Sequence, residues 1–324
     1  MNLLDREDAT SFFTGSIRTE STENGTRLHR LSQKQVDHFD TNEAWGIRAR
    51  CTAGVRLNLR TNSGSLRLIG RVLPGARTYA GFDVCVDGHW VSAPRIDTSE
   101  EPREIELLPE ASSATRTVSV TFPQSAIVEL KAIELDDDAD LEPALSKDRK
   151  YLAIGDSITQ GMDARGPASA YPIQLADYLN AELLNLGVGG HIFDVDALDE
   201  IPWQPDIVTV AYGSNDWSRE ITRPDIGQIV HTYLSRLSDI AGDTRVHVLT
   251  PLWRTNHTET KTGGTLLEFS AAISDAARFF DQVSIIDGYT LVPHREDLFA
   301  DGLHPNDEGF LHYALNLARH IRAS

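Results

Sequence analysis

Gly155-Asp156-Ser157-Ile158-Thr159 leaves a strand-like run at 151–154, and Asp301-Gly302-Leu303-His304 lies just ahead of a helix-like stretch near the C-terminal end. A seryl hydroxyl is a weak nucleophile by itself. It needs a neutral imidazole within hydrogen-bond reach, and that imidazole needs a carboxylate on its other nitrogen to fix the tautomer. Asp301 and His304, three apart, could supply both from one loop, which makes Ser157 the candidate nucleophile. The segment is not the G-x-S-x-G elbow, because Thr159 stands two positions after the serine.

Two more loops could complete the chemistry. In Asn185-Leu186-Gly187-Val188-Gly189-Gly190-His191 the glycines let the backbone approach a ligand, and an N–H there could face a developing oxyanion. Ile192 breaks the dinucleotide fingerprint, and no Lys-Ser/Thr completes a P-loop, so a tight turn is the alternative reading. In Gly213-Ser214-Asn215-Asp216 the Asn215 amide could aim at the same oxygen, a contribution of about 3 kcal/mol in a comparable site. A turn or helix cap is the alternative there. His191, Trp217 and Trp253 follow the same loops and are candidates for a substrate pocket, or simply for packing. Asp156 could order the nucleophile loop through backbone N–H bonds. His294 is a base only if the Asp301–His304 pair is misplaced.

These loops need a frame. Strand-like runs at 151–154, 183–186, 207–211, 246–250 and 283–286 alternate with helix-like segments at 170–179, 224–240, 265–280 and 307–322. In the second helix Ile226, Ile229, Tyr233, Leu237 and Ile240 recur at helical spacing behind Pro224. Such alternation predicts an α/β domain, a five-stranded parallel sheet flanked by helices, with ligands beyond the C-terminal strand ends. From about 45 to 135 the pattern is different: short runs at 55–60, 65–72, 82–86, 104–108, 118–122 and 127–133, many alternating in polarity, separated by turn signals. That predicts an antiparallel, jelly-roll-like sandwich. The acidic Leu135-Asp136-Asp137-Asp138-Ala139-Asp140 reads as a solvated linker, because consecutive carboxylates do not converge on one ion. The expected division is 1–145 for the sandwich, leading segment and linker, and 146–324 for the α/β domain.

Composition narrows the partners. The 324-residue chain carries a net charge of −18, which argues against nucleic acid and suits a neutral or cationic small molecule, unless the acidity serves solubility alone. No apolar run approaches the length of a membrane span, and the first eight residues lack a basic flank and an apolar signal core, so a cytoplasmic location is expected. Cys51 and Cys85 read as thiols, with no metal site beside them.

Over residues 148–324 the sequence resembles the SGNH (GDSL-type) hydrolases, whose four signature blocks supply Ser, Gly, Asn and His. The resemblance implies that family's three-layer fold, Ser157 as nucleophile, and an oxyanion hole from the N–H of Ser157, the N–H of Gly190 and the Asn215 amide. The last block, with Asp and His three apart, matches Asp301 and His304. The front half looks like the sandwich of two-domain members, which include carbohydrate esterases and some acyltransferases of secondary metabolism. The expectation is a serine esterase for small acyl esters, with O-deacetylation of a carbohydrate or glycoside as one form, needing no metal or organic cofactor. Acyl transfer to a sugar or natural-product hydroxyl uses the same residues. A glycan-binding protein with a silent hydrolase domain is the reading from another class.

Overall fold

The computed structural model describes residues 1–108 and 114–323. Five parallel strands form the sheet that carries the candidate site, in the order Ala181–Asn185, Arg149–Gly155, Ile207–Ala211, Val246–Leu249, Val283–Ile286. Both faces are covered, so the strands are apolar almost throughout, and the period-two alternation of side chains sorts them between two cores. Leu152, Ile154, Val208, Val210, Val246 and Val248 face one core, where helices Arg223–Ala241 and Leu266–Ala277 lay down Ile226, Val230, Leu237, Phe269 and Ile273. Tyr151, Ala153, Leu183 and Ile207 face the other, against helices Tyr171–Tyr178 and Asp307–Ala323.

Helix starts follow local chemistry. Thr222 accepts a hydrogen bond from the Asp225 N–H ahead of Pro224, and Thr265 and Glu268 form a capping box. After Arg149–Gly155 the chain fills one flank with Ala181–Asn185, then crosses to the other with Ile207–Ala211. This reversal opens a crevice at the C-terminal strand ends, and Ser157 lies two residues past Gly155.

The front half is an antiparallel sandwich. One sheet runs Phe13–Thr14, Arg56–Thr61, Arg116–Thr121, Asp83–Val86, His89–Ser92, with Leu141–Pro143 also paired to Arg56–Thr61. The facing sheet runs Ser99–Glu106, Leu66–Pro74, Ala126–Leu135, Gly25–His29, Arg18–Thr22. Leu57, Leu59, Leu68, Val72, Val118, Val120 and Val128 fill the space between them.

Three features go beyond the sequence reading. Residues up to 49 build a hairpin, Arg18–Thr22 with Gly25–His29, and two helices, Gln33–Phe39 and Glu43–Ala49. Leu31, Val36, Phe39 and Ala49 from this stretch are buried in the core of the α/β part. The acidic stretch is tied to the sandwich: Asp136 accepts from the Gly64 N–H (2.7 Å) and the Ser65 hydroxyl (2.8 Å), and Leu141–Pro143 joins a sheet. Both cysteines are free thiols, Cys51 buried and Cys85 half-buried. Among the described residues, no helix is long and apolar enough to cross a membrane.

Candidate active site

Gly155 ends strand Arg149–Gly155 with no room for a side chain, since a Cβ there would lie 2.1 Å from Thr159 Oγ1 and 2.7 Å from the Ala211 carbonyl oxygen. Asp156 caps the short helix Ser157–Gln160, its Oδ1 accepting from the Ile158 N–H at 3.0 Å. This fixes Ser157, which is 7% exposed, at the mouth of the crevice.

The C-terminal loop meets it there. His304 Nε2 lies 2.8 Å from Ser157 Oγ, and His304 Nδ1 lies 2.7 Å from Asp301 Oδ2. Asp301 Oδ1 accepts from the N–H groups of Leu303 (3.0 Å) and His304 (2.8 Å), so the carboxylate is locked against its own loop. Partial burial pushes the Asp301 pKa up, but the His304 N–H and imidazole outweigh it and hold the group below the usual carboxylate range. An ionised Asp301 accepts the Nδ1 proton, which leaves the Nε2 lone pair facing the seryl hydroxyl.

A second carboxylate reaches the same ring. Asp163 Oδ2 lies 3.4 Å from His304 Nδ1, while its Oδ1 accepts from Arg77 Nη2 (2.7 Å) and Nε (3.1 Å). Asp163 holds φ at +68°, a conformation uncommon outside glycine, so the backbone carries strain beside the imidazole. Nothing in the sequence around Asp163 marks it; its meaning arises only from the approach of His304 and Arg77.

The two glycine- and asparagine-bearing loops are joined to each other and to Asp156. Asn215 Nδ2 donates to the His191 carbonyl (3.0 Å) and to Asp156 Oδ2 (3.2 Å). Gly190 adopts φ +79°, which favours glycine, and is half-buried. Asp216 is fully buried and accepts from the N–H groups of Gly213 (3.0 Å) and Phe193 (3.2 Å), one from each loop. Burial pushes the Asp216 pKa up to about 7 despite those bonds. Burial likewise lifts Asp156 to about 6, opposed by the Ile158 N–H and His304.

Each pocket candidate has packing partners of its own. His191 is 1% exposed, its ring met edge-on by Phe39, Trp45 and Tyr212, so it packs in an aromatic cage. Trp217 is fully buried, and its indole N–H donates to the Gly264 carbonyl at 2.9 Å. Trp253 is half-buried and stacks on His294 with ring centroids 5.6 Å apart. His294 Nε2 lies 2.9 Å from the Tyr289 carbonyl and is engaged there. Arg254 is a site residue the sequence did not disclose. Its Nη1 donates to Ser214 Oγ (3.3 Å), and the neighbouring Thr255 N–H donates to the Gly302 carbonyl (3.0 Å), so the guanidinium stands between the third loop and the Asp301–His304 loop. It makes no ion pair among the described residues. A cavity of about 1250 Å³ lies between the sandwich and the α/β part, lined by Trp90, Arg95, Arg165 and Tyr178 among others; neither Ser157 nor His304 lines it.

A strand–loop–helix frame with serine, glycine, asparagine and histidine at successive loops is the layout of a GDSL/SGNH hydrolase fold. Residues 153–310 match the GDSL-like lipase/acylhydrolase family. No curated protein sequence matches the chain. Among solved structures, the salicylyl-acyltransferase SsfX3 from a tetracycline biosynthetic pathway superposes with a TM-score of 0.85 at 17% identity, over 96% of this chain and 94% of that one. A candidate GDSL-like lipase from Bacteroides ovatus gives 0.77 at 20% identity, over 96% and 94%. A family two carbohydrate esterase from Clostridium thermocellum, in complex with cellohexaose, gives 0.72 at 14% identity, over 96% and 98%. The shared fold therefore includes the sandwich as well as the α/β part.

Proposed function

We propose that the protein is a serine esterase of small acyl esters, with Ser157, His304 and Asp301 as its catalytic triad. The reading rests on one observation: His304 is bonded on one side to Ser157 and on the other to Asp301, at 2.8 and 2.7 Å. In this reading Nε2 takes the hydroxyl proton as Oγ attacks the ester carbonyl, and Asp301 stabilises the imidazolium. The N–H groups of Ser157 and Gly190 receive the oxyanion, joined by the Asn215 amide as it turns one N–H away from Asp156. His304 then returns the proton to the leaving alcohol, and water hydrolyses the acyl-serine. An O-acetylated carbohydrate or glycoside is the proposed substrate class, in keeping with the carbohydrate esterase among the structural neighbours.

Ser157→Ala should lower turnover of p-nitrophenyl acetate by about 1000-fold or more, with an unchanged circular-dichroism spectrum. Unchanged turnover would refute the triad. Acyl transfer has support of its own in the likeness to an acyltransferase over nearly the whole chain. Product analysis with an added acceptor alcohol separates the two: a transferase gives more new ester than free acid at modest acceptor concentration.

A further inference from the structure

Behind the Gly190 loop, three side chains from two distant segments turn their ligating atoms toward one point. His38 closes helix Gln33–Phe39, His191 follows Gly190, and Asp194 caps the turn Val195–Ala197. His38 Nε2 lies 2.9 Å from Asp194 Oδ2, His191 Nε2 lies 3.6 Å from the same oxygen, and all three ligand atoms fall within 4.8 Å of one another. We propose that His38, His191 and Asp194 bind a divalent first-row transition-metal ion of the zinc type.

The buried imidazole carries the argument. His191 is 1% exposed, and its Nε2 has no hydrogen-bond partner among the described residues, because 3.6 Å is too long for one. Its Nδ1 is 3.3 Å from the Tyr212 hydroxyl. If Nδ1 donates to that hydroxyl, the Nε2 lone pair points at a carboxylate oxygen, which is repulsive unless a cation lies between them. If Nε2 carries the proton, a buried donor stays unsatisfied. A metal ion removes both conflicts.

The dimensions and surroundings agree. Four-coordinate zinc with bonds of about 2.0–2.1 Å holds neighbouring ligand atoms about 3.4 Å apart, between the two separations seen here. Tyr212 orients one imidazole, and the Asp196 N–H holds Asp194 Oδ1 at 3.0 Å, leaving Oδ2 to ligate. His38 and Asp194 are partly exposed, and a cavity of about 500 Å³ opens onto His38. Lys34 and Arg236 also line that cavity, but each is paired, with Asp199 (3.5 Å) and Asp239 (3.6 Å), and Asp196 lies on the same wall.

Three protein ligands leave a position for solvent, and imidazole with carboxylate suits zinc. The ion would tether helix Gln33–Phe39 to the loop whose His191 carbonyl receives the Asn215 amide. It has no part in the acyl chemistry.

The test uses the full chain, purified without a metal-affinity tag and stripped with a chelator. Calorimetric titration with ZnCl2 should show one ion per chain, and Co2+ should give visible d–d bands of a low-coordinate site. His38→Gln should weaken Zn2+ binding at least tenfold and abolish the cobalt bands. Asp194→Asn, which keeps its Oδ1 bond to the Asp196 N–H, should weaken it as well, whereas His231→Gln on helix Arg223–Ala241 should leave it unchanged. Absence of stoichiometric binding, or equal affinity in the wild type and both ligand variants, overturns the site and leaves His191 Nε2 as an unpartnered buried nitrogen beside Asp194.

Discussion

The imidazole of His304 is held by two carboxylates, and only one of them lies in its own loop. Asp301 takes the short bond, while Asp163 stands 3.4 Å away and is itself anchored by Arg77. A second anion beside Nδ1 favours the imidazolium that forms as serine attacks. Asp163→Asn should therefore reduce kcat by about 3- to 10-fold and leave KM little changed. A kcat equal to the wild type would show that Asp163 serves only the Arg77 bridge. Ser157, Asp301 and His304 were legible in the sequence because each sits in a short local pattern. Asp163 and Arg254 were not, because isolated charged residues acquire a role only when remote loops close on them.

Loops at the strand ends are joined by buried polar groups as well as by aromatic packing. Asp216 ties the loop after Ile207–Ala211 to the loop after Ala181–Asn185, and burial holds its pKa near 7, well above the ordinary 3.8. A raised acid favours the folded state when neutral. Its stabilising contribution is complete below the ordinary value and is lost as pH rises through about 7. Asp216→Asn imitates the neutral acid with one acceptor fewer, so it should cost about 1–2 kcal/mol at pH 5 and less, or nothing, at pH 8. Urea denaturation at the two pH values checks this, and an equal cost at both would contradict the buried-acid reading. At this level the signals along the chain are uneven. The parallel strands and their helices announced themselves by apolar runs and helical spacing. The hairpin strand Arg18–Thr22 did not, since all five residues are polar and the backbone ladder to Gly25–His29 holds it. Helix Gln33–Phe39 carried a readable signal, the capping box of Ser32 and Gln35.

The two halves are stitched by more than a linker. Arg30 is buried and donates to the carbonyls of Cys51 (2.9 Å), Arg48 (2.9 Å) and Asn185 (2.8 Å), so one guanidinium joins the front segment to the edge strand Ala181–Asn185 of the parallel sheet. We propose a division near 145/146, with residues 31–49 as a strap that the first part lays on the second. Arg30→Lys keeps the charge but loses the planar fork, and should cost about 2–3 kcal/mol. It should also speed proteolytic cutting near Leu145, which is 89% exposed. Unchanged denaturation and cleavage rates would mean that the strap holds without Arg30.

Hydrophobic periodicity and short polar motifs act between near neighbours along the chain, so they fix which strands and helices form and which loops carry serine, glycine, asparagine and histidine. That much could be read one residue after another. The convergence of Ser157 with His304, the Arg77–Asp163 support, the Arg30 cross-link and the His38–His191–Asp194 cluster each bring together residues at least 86 positions apart. Such contacts form only once the sheet has set the relative places of its strand ends, because the energy that specifies them lies in burial and distance rather than in local pattern.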